Sequence, residues 1–332
     1  MTVGLDIGTS FIVSSREAED GIQYKKFRDA FFKLIPPTKI AATVIEKSLK
    51  NRSYFKDADG SFVIVGDEAI EKAVERHQLV RQPLFRGVIS PREPEARKVL
   101  KFILSEVLGE AEETGERLVY SVPAEPIDQS DEEFNTGFHQ DVLKRDLGEL
   151  GFSPLALNEA EAICYAELED SEYTGICLSF GMGMVNTCVM SDGEALVRFS
   201  TTKSGSWIDR MTAQSTGQPD SVVQLEKENG DFVVGQDSDN PILSVVSAYY
   251  IRLIDYTLQN LALRVKRKDL PKFARPVPLV VSGGTSLATG FIDAFSSSLK
   301  SVDFPFQIET VRHASEPLFA VAKGCLLAAS IL

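Results

Sequence analysis

A chain of 332 residues is longer than one compact domain needs and suits two, and 43% hydrophobic with 25% charged residues excludes a disordered or low-complexity protein. A net charge of −13 argues against non-specific binding to nucleic acid or to an anionic lipid surface, and serves solubility. The apolar runs are too short to cross a bilayer, and the N-terminus opens into a strand without a secretory leader, so a cytoplasmic protein is expected.

Thr2 to Ile7 has the pattern of a strand, Gly8-Thr9-Ser10 of a turn, and Phe11 to Ser15 of a returning strand. Ser61 to Val65 predicts another strand, ending at Gly66, and Asp67 is suited to cap a helix that runs to about Arg76. Ser90-Pro91 predicts the opening of a long helix to about Leu108, with Val99, Leu100, Ile103, Leu104 and Val107 on one stripe. Leu118 to Val122 is a buried strand, and Asp131 to Leu150 a helix closed by Gly151.

The plan then restarts. Gly175 to Ser179 is a strand, Phe180 to Gly183 a turn, and Met184 to Met190 the return. Ala195 to Ser200 follows the Asp192-Gly193 turn as a further strand. A helix from about Ile242 to Arg264 ends in the cations Arg264, Lys266, Arg267 and Lys268, which complement the helix dipole. Past Pro271 and Pro276, Val277 to Val281 is a strand that meets Gly283-Gly284 and another helix; Pro317 to Ser330 forms the last helix. A plan stated twice predicts two similar α/β lobes with mixed sheets and a ligand cleft between them.

The cysteines, Cys164, Cys177, Cys188 and Cys325, lie in apolar surroundings without metal spacing, and read as buried thiols in a reducing compartment. His77, His139 and His313 are scattered, which leaves no zinc site and no nucleophilic triad. The chemistry lies in the glycine turns. Gly8 with Thr9 and Ser10, and Gly181 with Gly183, let backbone N–H groups approach a polyphosphate. Asp6, at a strand end, is placed to hold Mg²⁺ through waters. Gly283, Gly284, Thr285 and Ser286 lie where a strand gives way to a helix N-terminus, which suits an anion or a nucleotide edge. Each of these features alone is also what an ordinary tight turn looks like.

Their order is more specific. Val3 to Ser10 resembles the first phosphate loop of the actin, heat-shock chaperone and sugar kinase superfamily; Leu157 to Ala162 resembles its first connecting helix, and Ile176 to Gly183 its second phosphate loop. Ser204 to Asp209, Val280 to Ser286 and Glu316 to Gly324 resemble the segment that follows, the adenosine loop and the second connecting helix. Val65 to Ala69, with Arg81 to Ile89, is most similar to MreB-like bacterial actins. The resemblance implies an actin-like fold with two RNase H-like lobes, residues 1–153 with 311–332 returning, and 154–310, around a nucleotide cleft. It implies ATP and Mg²⁺ as cofactors, Asp6 on the metal, Glu159 orienting the hydrolytic water, Met182 within the second loop, and Gln224, Glu226 and Lys227 beside adenine and ribose.

Two departures stand out. Ser179 replaces the usual aspartate of the second loop, and Met184 a hydroxyl residue. A hydroxyl brings no charge to a metal, so slow or atypical hydrolysis is expected. The loop at Gly109 to Glu116 is acidic where related proteins carry an apolar membrane contact, so no direct membrane binding is expected. The expected function is a filament subunit that self-associates and reaches its cargo through an adaptor. A non-polymerising nucleotide-binding adaptor is the alternative, and a small-molecule kinase, which would need a base in the cleft, comes third.

Overall fold

The computed structural model describes residues 2–76, 78–129, 135–267, 270, 273 and 275–331. Of the residues considered above, His77, Asp131, Lys268, Pro271 and Leu332 lie outside them. The chain begins with β1 (Thr2–Ile7), β2 (Phe11–Ala18) and β3 (Gly21–Arg28). An outer segment follows: β4 (Phe31–Leu34), α1 (Lys39–Ser48), β5 (Tyr54–Lys56), β6 (Phe62–Val65) and α2 (Asp67–Glu75). The hairpin β7 (Leu84–Phe85) and β8 (Val88–Ile89) leads to α3 (Ala96–Leu108), β9 (Glu116–Val122), α4 (Thr136–Glu149) and β10 (Phe152–Asn158).

Next come α5 (Glu159–Glu167), β11 (Gly175–Phe180), β12 (Val185–Ser191) and β13 (Glu194–Thr201). The helices α6 (Gly205–Thr216), α7 (Asp220–Asn229) and α8 (Pro241–Arg267) precede β14 (Val277–Ser282). The chain closes with α9 (Phe291–Leu299), β15 (Ile308–His313) and α10 (Ala320–Ile331). No helix among the described residues is long and apolar enough to cross a membrane.

The repeat seen in the sequence is a repeat of topology. One sheet has the order β10-β9-β1-β2-β3 and the other β15-β14-β11-β12-β13. In each, an antiparallel meander lies on one side of the founding strand and two parallel strands on the other. Parallel strands need crossovers, which the helices supply. The founding strands are apolar where they meet the core: Val3, Leu5 and Ile7 in one, Ile176, Leu178 and Phe180 in the other. A smaller sheet, β4-β6-β5, projects from the first and is covered by α2 through Ala69 and Ala73.

Between the large sheets lie α5 and α10. A Cβ placed on Gly324 would stand 1.7 Å from the carbonyl oxygen of Ala162, so the two helices cross with their backbones in contact. All four cysteines lie buried in the core around this crossing, as the sequence led us to expect.

Three helix starts differ from expectation, the last helix beginning at Ala320 rather than Pro317. Gly66, not Asp67, is the cap residue of α2; Asp67 is its first helical residue and pairs with Arg28 at 2.7 Å. The helix expected from Ser90-Pro91 begins only at Ala96. Pro94 disfavours helical geometry at Glu93, and Glu93 and Glu95 turn back to bind Arg81. The helix expected to close at Gly151 starts, within the described residues, at Thr136, where the Asn135 side chain accepts from the Phe138 N–H at 2.7 Å.

Candidate functional site

A cavity of ≈ 480 Å³ opens between the large sheets, a size typical of small-molecule sites. The β1–β2 turn contributes Gly8, Thr9 and Ser10, and the β11–β12 turn contributes Gly181, Met182 and Gly183. Gly283, Gly284 and Thr285 close a third side where β14 ends, and Gln224 and Lys227 approach from α7. Asp6, Glu159 and Ser179 also line the cavity. Glu226 and Ser286 do not. The Glu226 carboxylate accepts from Asn240 Nδ2 at 2.9 Å, and the buried Ser286 hydroxyl donates to the Gly283 carbonyl at 2.7 Å. After Gly283-Gly284 the chain forms a 3-10 turn, Gly284–Leu287, before α9.

The two hairpin turns meet. Ser10 Oγ lies 3.0 Å from Met182 Sδ, and Thr9 Oγ1 accepts from the Gly87 N–H at 2.9 Å. A Cβ on Gly183 would stand 2.4 Å from Thr9 Oγ1, so a side chain there would push the turns apart. Carbonyl groups of the second turn are tied down from behind. Gly181 O accepts from Thr285 Oγ1 at 3.0 Å, and Met182 O from Ser204 Oγ at 2.7 Å. The segment singled out at Ser204 to Asp209 therefore braces the turn. It also anchors Lys227, whose ammonium lies 2.7 Å from the Asp209 carboxylate and donates to Gly205 O at 3.2 Å.

At the bottom are two carboxyl groups. Asp6 Oδ1 accepts from Ser121 Oγ at 2.9 Å, and that oxygen accepts the Ile7 N–H at 2.8 Å. Glu159 opens α5, where Asn158 caps the helix through the N–H groups of Ala160 and Glu161. Glu159 Oε2 accepts from Asn186 Nδ2 at 2.9 Å and also takes a hydrogen bond from Ser179. Asn186 is itself oriented by the Ala124 N–H, which donates to its Oδ1 at 2.9 Å. Loss of water pushes the Asp6 carboxyl up to about 6, against the pull of Ser121. It pushes Glu159 up to about 8, with the Asp6 charge adding to the rise and Ser179 and Asn186 opposing it.

Sequence reasoning did not reach several wall residues: Lys26, Phe11, Val13, Phe232 and Tyr250. Lys26 stands on an edge strand without an apolar signature, and Tyr250 looks like one more core residue of a long amphipathic helix. Asn186 was also missed, although it lies just beyond the second glycine turn.

The family model described as Volactin matches residues 1–329. The chain belongs to the Volactin family. Similarity to solved structures extends over the whole molecule. The MamK double helical filament is 19% identical, with 100% of this chain and 99% of that one covered and a TM-score of 0.73. MreB 5 of Spiroplasma citri bound to AMPPNP is 17% identical, with 97% and 94% covered and a TM-score of 0.65. The ethanolamine utilization protein EutJ from Carboxydothermus hydrogenoformans is 17% identical, with 98% and 88% covered and a TM-score of 0.53. No curated protein matches the sequence. At these identities the likeness is one of fold, and this Volactin-family chain has the actin-like fold that its sequence resemblance implied.

Proposed function

We propose that this chain is an ATP-binding actin-like subunit that assembles into cytoskeletal filaments and hydrolyses ATP slowly. The observation that carries this is the meeting of two glycine turns, one from each large sheet, above two desolvated carboxyls. Backbone N–H groups free of Cβ atoms suit a polyphosphate spanning both turns. Gly8, Thr9, Ser10, Gly181, Met182 and Gly183 would face the phosphates. Gln224, Lys227, Gly283, Gly284 and Thr285 would face the nucleoside, with Glu226 and Ser286 supporting that wall from behind. Residues 1–153 with 311–332 would form one lobe and 154–310 the other.

Among the described residues no cluster of three or more His, Cys, Asp or Glu could hold a metal by protein ligands alone. Mg²⁺ bound to a nucleotide needs only one or two carboxylates, and Asp6 with Glu159 beside it fits that requirement. Asp6 would hold the ion through waters; the ion would supply charge neutralisation at the phosphates. Glu159 would orient the hydrolytic water, for which it must be ionised. Its raised carboxyl and the uncharged Ser179 both favour slow turnover.

Self-association has two supports. The MamK relative is a double helical filament, and the first lobe is polarised in charge. Residues 29–56, which follow β3 from the cavity end of the sheet, include Lys39, Lys47, Lys50 and Arg52, with Ile35, Ile40 and Val44 exposed among them. Glu17, Glu19, Asp20, Glu110, Glu112 and Glu113 cluster at the opposite end of the same sheet. Such polarity suits a head-to-tail contact, which extends rather than closes. Nucleic acid and direct membrane contact play no part, cargo is reached through an adaptor protein, and the compartment is the cytoplasm.

Pelleting and negative-stain microscopy with and without Mg-ATP test the proposal. Filaments that need ATP and weaken with salt are expected. Soluble monomers with bound nucleotide would instead favour a non-polymerising adaptor, the reading to which Ser179 and Met184 lend weight.

A further inference from the structure

We infer that Lys26 is the cation that grips the outer phosphates of a nucleoside di- or triphosphate, reached from the third strand of the first sheet. The inference rests on the nucleotide reading above and adds a residue that no sequence motif indicated. In the β2–β3 register, Phe11 faces Arg28 and Val13 faces Lys26. Phe11, Val13 and Lys26 all line the cavity together with the Gly8 to Ser10 turn. The neighbouring Lys25 donates instead to the Glu106 carbonyl of α3. Strand alternation thus sends one lysine to the helix-covered face and the next to the cavity.

Lys26 is also uncommitted. Lys227, the other lysine of the wall, is held by Asp209 and the Gly205 carbonyl, and Arg28 is paired with Asp67. Among the described residues Lys26 has no carboxylate partner; its ammonium lies 4.4 Å from the centroid of the Phe11 ring, directly after the glycine turn. The remaining charged groups of the wall are the acids Asp6, Glu159 and Glu228. A polyphosphate entering such a wall needs a positive partner from the protein, and an exposed lysine on a flexible stem suits that role.

Titration calorimetry with adenosine, AMP, ADP and ATP on wild type, Lys26→Ala and Lys26→Arg tests this. The alanine variant is expected to bind ADP and ATP about tenfold more weakly, the scale of a lost charge-assisted hydrogen bond, and adenosine and AMP within about twofold of wild type. The arginine variant is expected to recover most of the loss. Unchanged ADP binding by Lys26→Ala, or equal loss for adenosine and ADP, would overturn the assignment. If wild type binds none of the four ligands, the nucleotide reading itself falls, and the Lys26 role with it.

Discussion

The two large sheets are one topology used twice, and their turns carry different chemistry. Each founding strand ends at a glycine turn beside the cavity. In the first sheet that end bears the carboxyl of Asp6; in the second it bears the hydroxyl of Ser179. Their lysines differ too: Lys227 is locked to Asp209, while Lys26 stands open. Strand order and backbone approach fix where the turns go, and these are shared. Charge depends on single side chains at strand ends, which can change without disturbing the sheet.

The largest test of this contrast is structural. Asp209→Ala would strand the Lys227 ammonium, whose side chain is only 10% exposed, and should cost about 3–5 kcal/mol in chemical unfolding. Lys26→Ala should stay within about 0.5 kcal/mol of wild type. Equal losses would erase the distinction between a braced and an open lysine. Next, Glu159→Gln should lower steady-state ATP turnover about 100-fold, the scale of a lost catalytic carboxylate.

The paired carboxyls also make a pH prediction. Both are raised above their ordinary values, so the folded state favours their protonated forms. Their stability contribution is full in acid and is lost as pH rises through about 6 and then about 8. The melting temperature of nucleotide-free protein should fall from pH 5 to 9, and Glu159→Gln should flatten the upper part of that fall. A smaller effect is expected from Ser179→Asp, which makes the two strand ends alike. It should lower the nucleotide-free melting temperature by a few degrees through repulsion with Glu159, yet raise Mg-ATP turnover about tenfold. Smallest of all, Met184→Thr should change turnover by about twofold: Met184 lines the cavity, but its side chain is almost wholly buried and its sulfur is held by the Ser200 hydroxyl.

Apart from the amphipathic helices, the parts of the fold most legible in the sequence were strands buried on both sides or bounded by a glycine turn. Founding strands β1 and β11 show as apolar runs ending in glycine, and the β12–β13 hairpin shows through Asp192-Gly193, both at positive φ. Within the two large sheets the strands that escaped notice, β3, β10 and β15, are edges. Two of them, GIQYKKFR and IETVRH, are polar, as suits an edge that must resist further pairing, while in the more apolar β10 Pro154 interrupts the strand pattern. The site divides the same way. Glycine turns announced themselves, whereas Lys26 was hidden on an edge strand and Asn186 acts only through Glu159. Glu226 and Ser286 stand one position from cavity-lining neighbours, a distinction of side-chain direction that motif matching does not carry.

The crossing of α5 and α10 limits how the two halves can move. Side chains that interdigitate can slip by a rung; a backbone carbonyl lodged against a glycine cannot. With Gly324 seated on Ala162, translation along either helix is blocked, and the freedom left is swivelling about that point. A contact of that kind would act as a fulcrum, about which a small rotation is largest at parts far from it, such as the outer sheet β4-β6-β5. A ligand in the cavity between the turns would then hold the short arm of a lever whose long arm is the outer sheet.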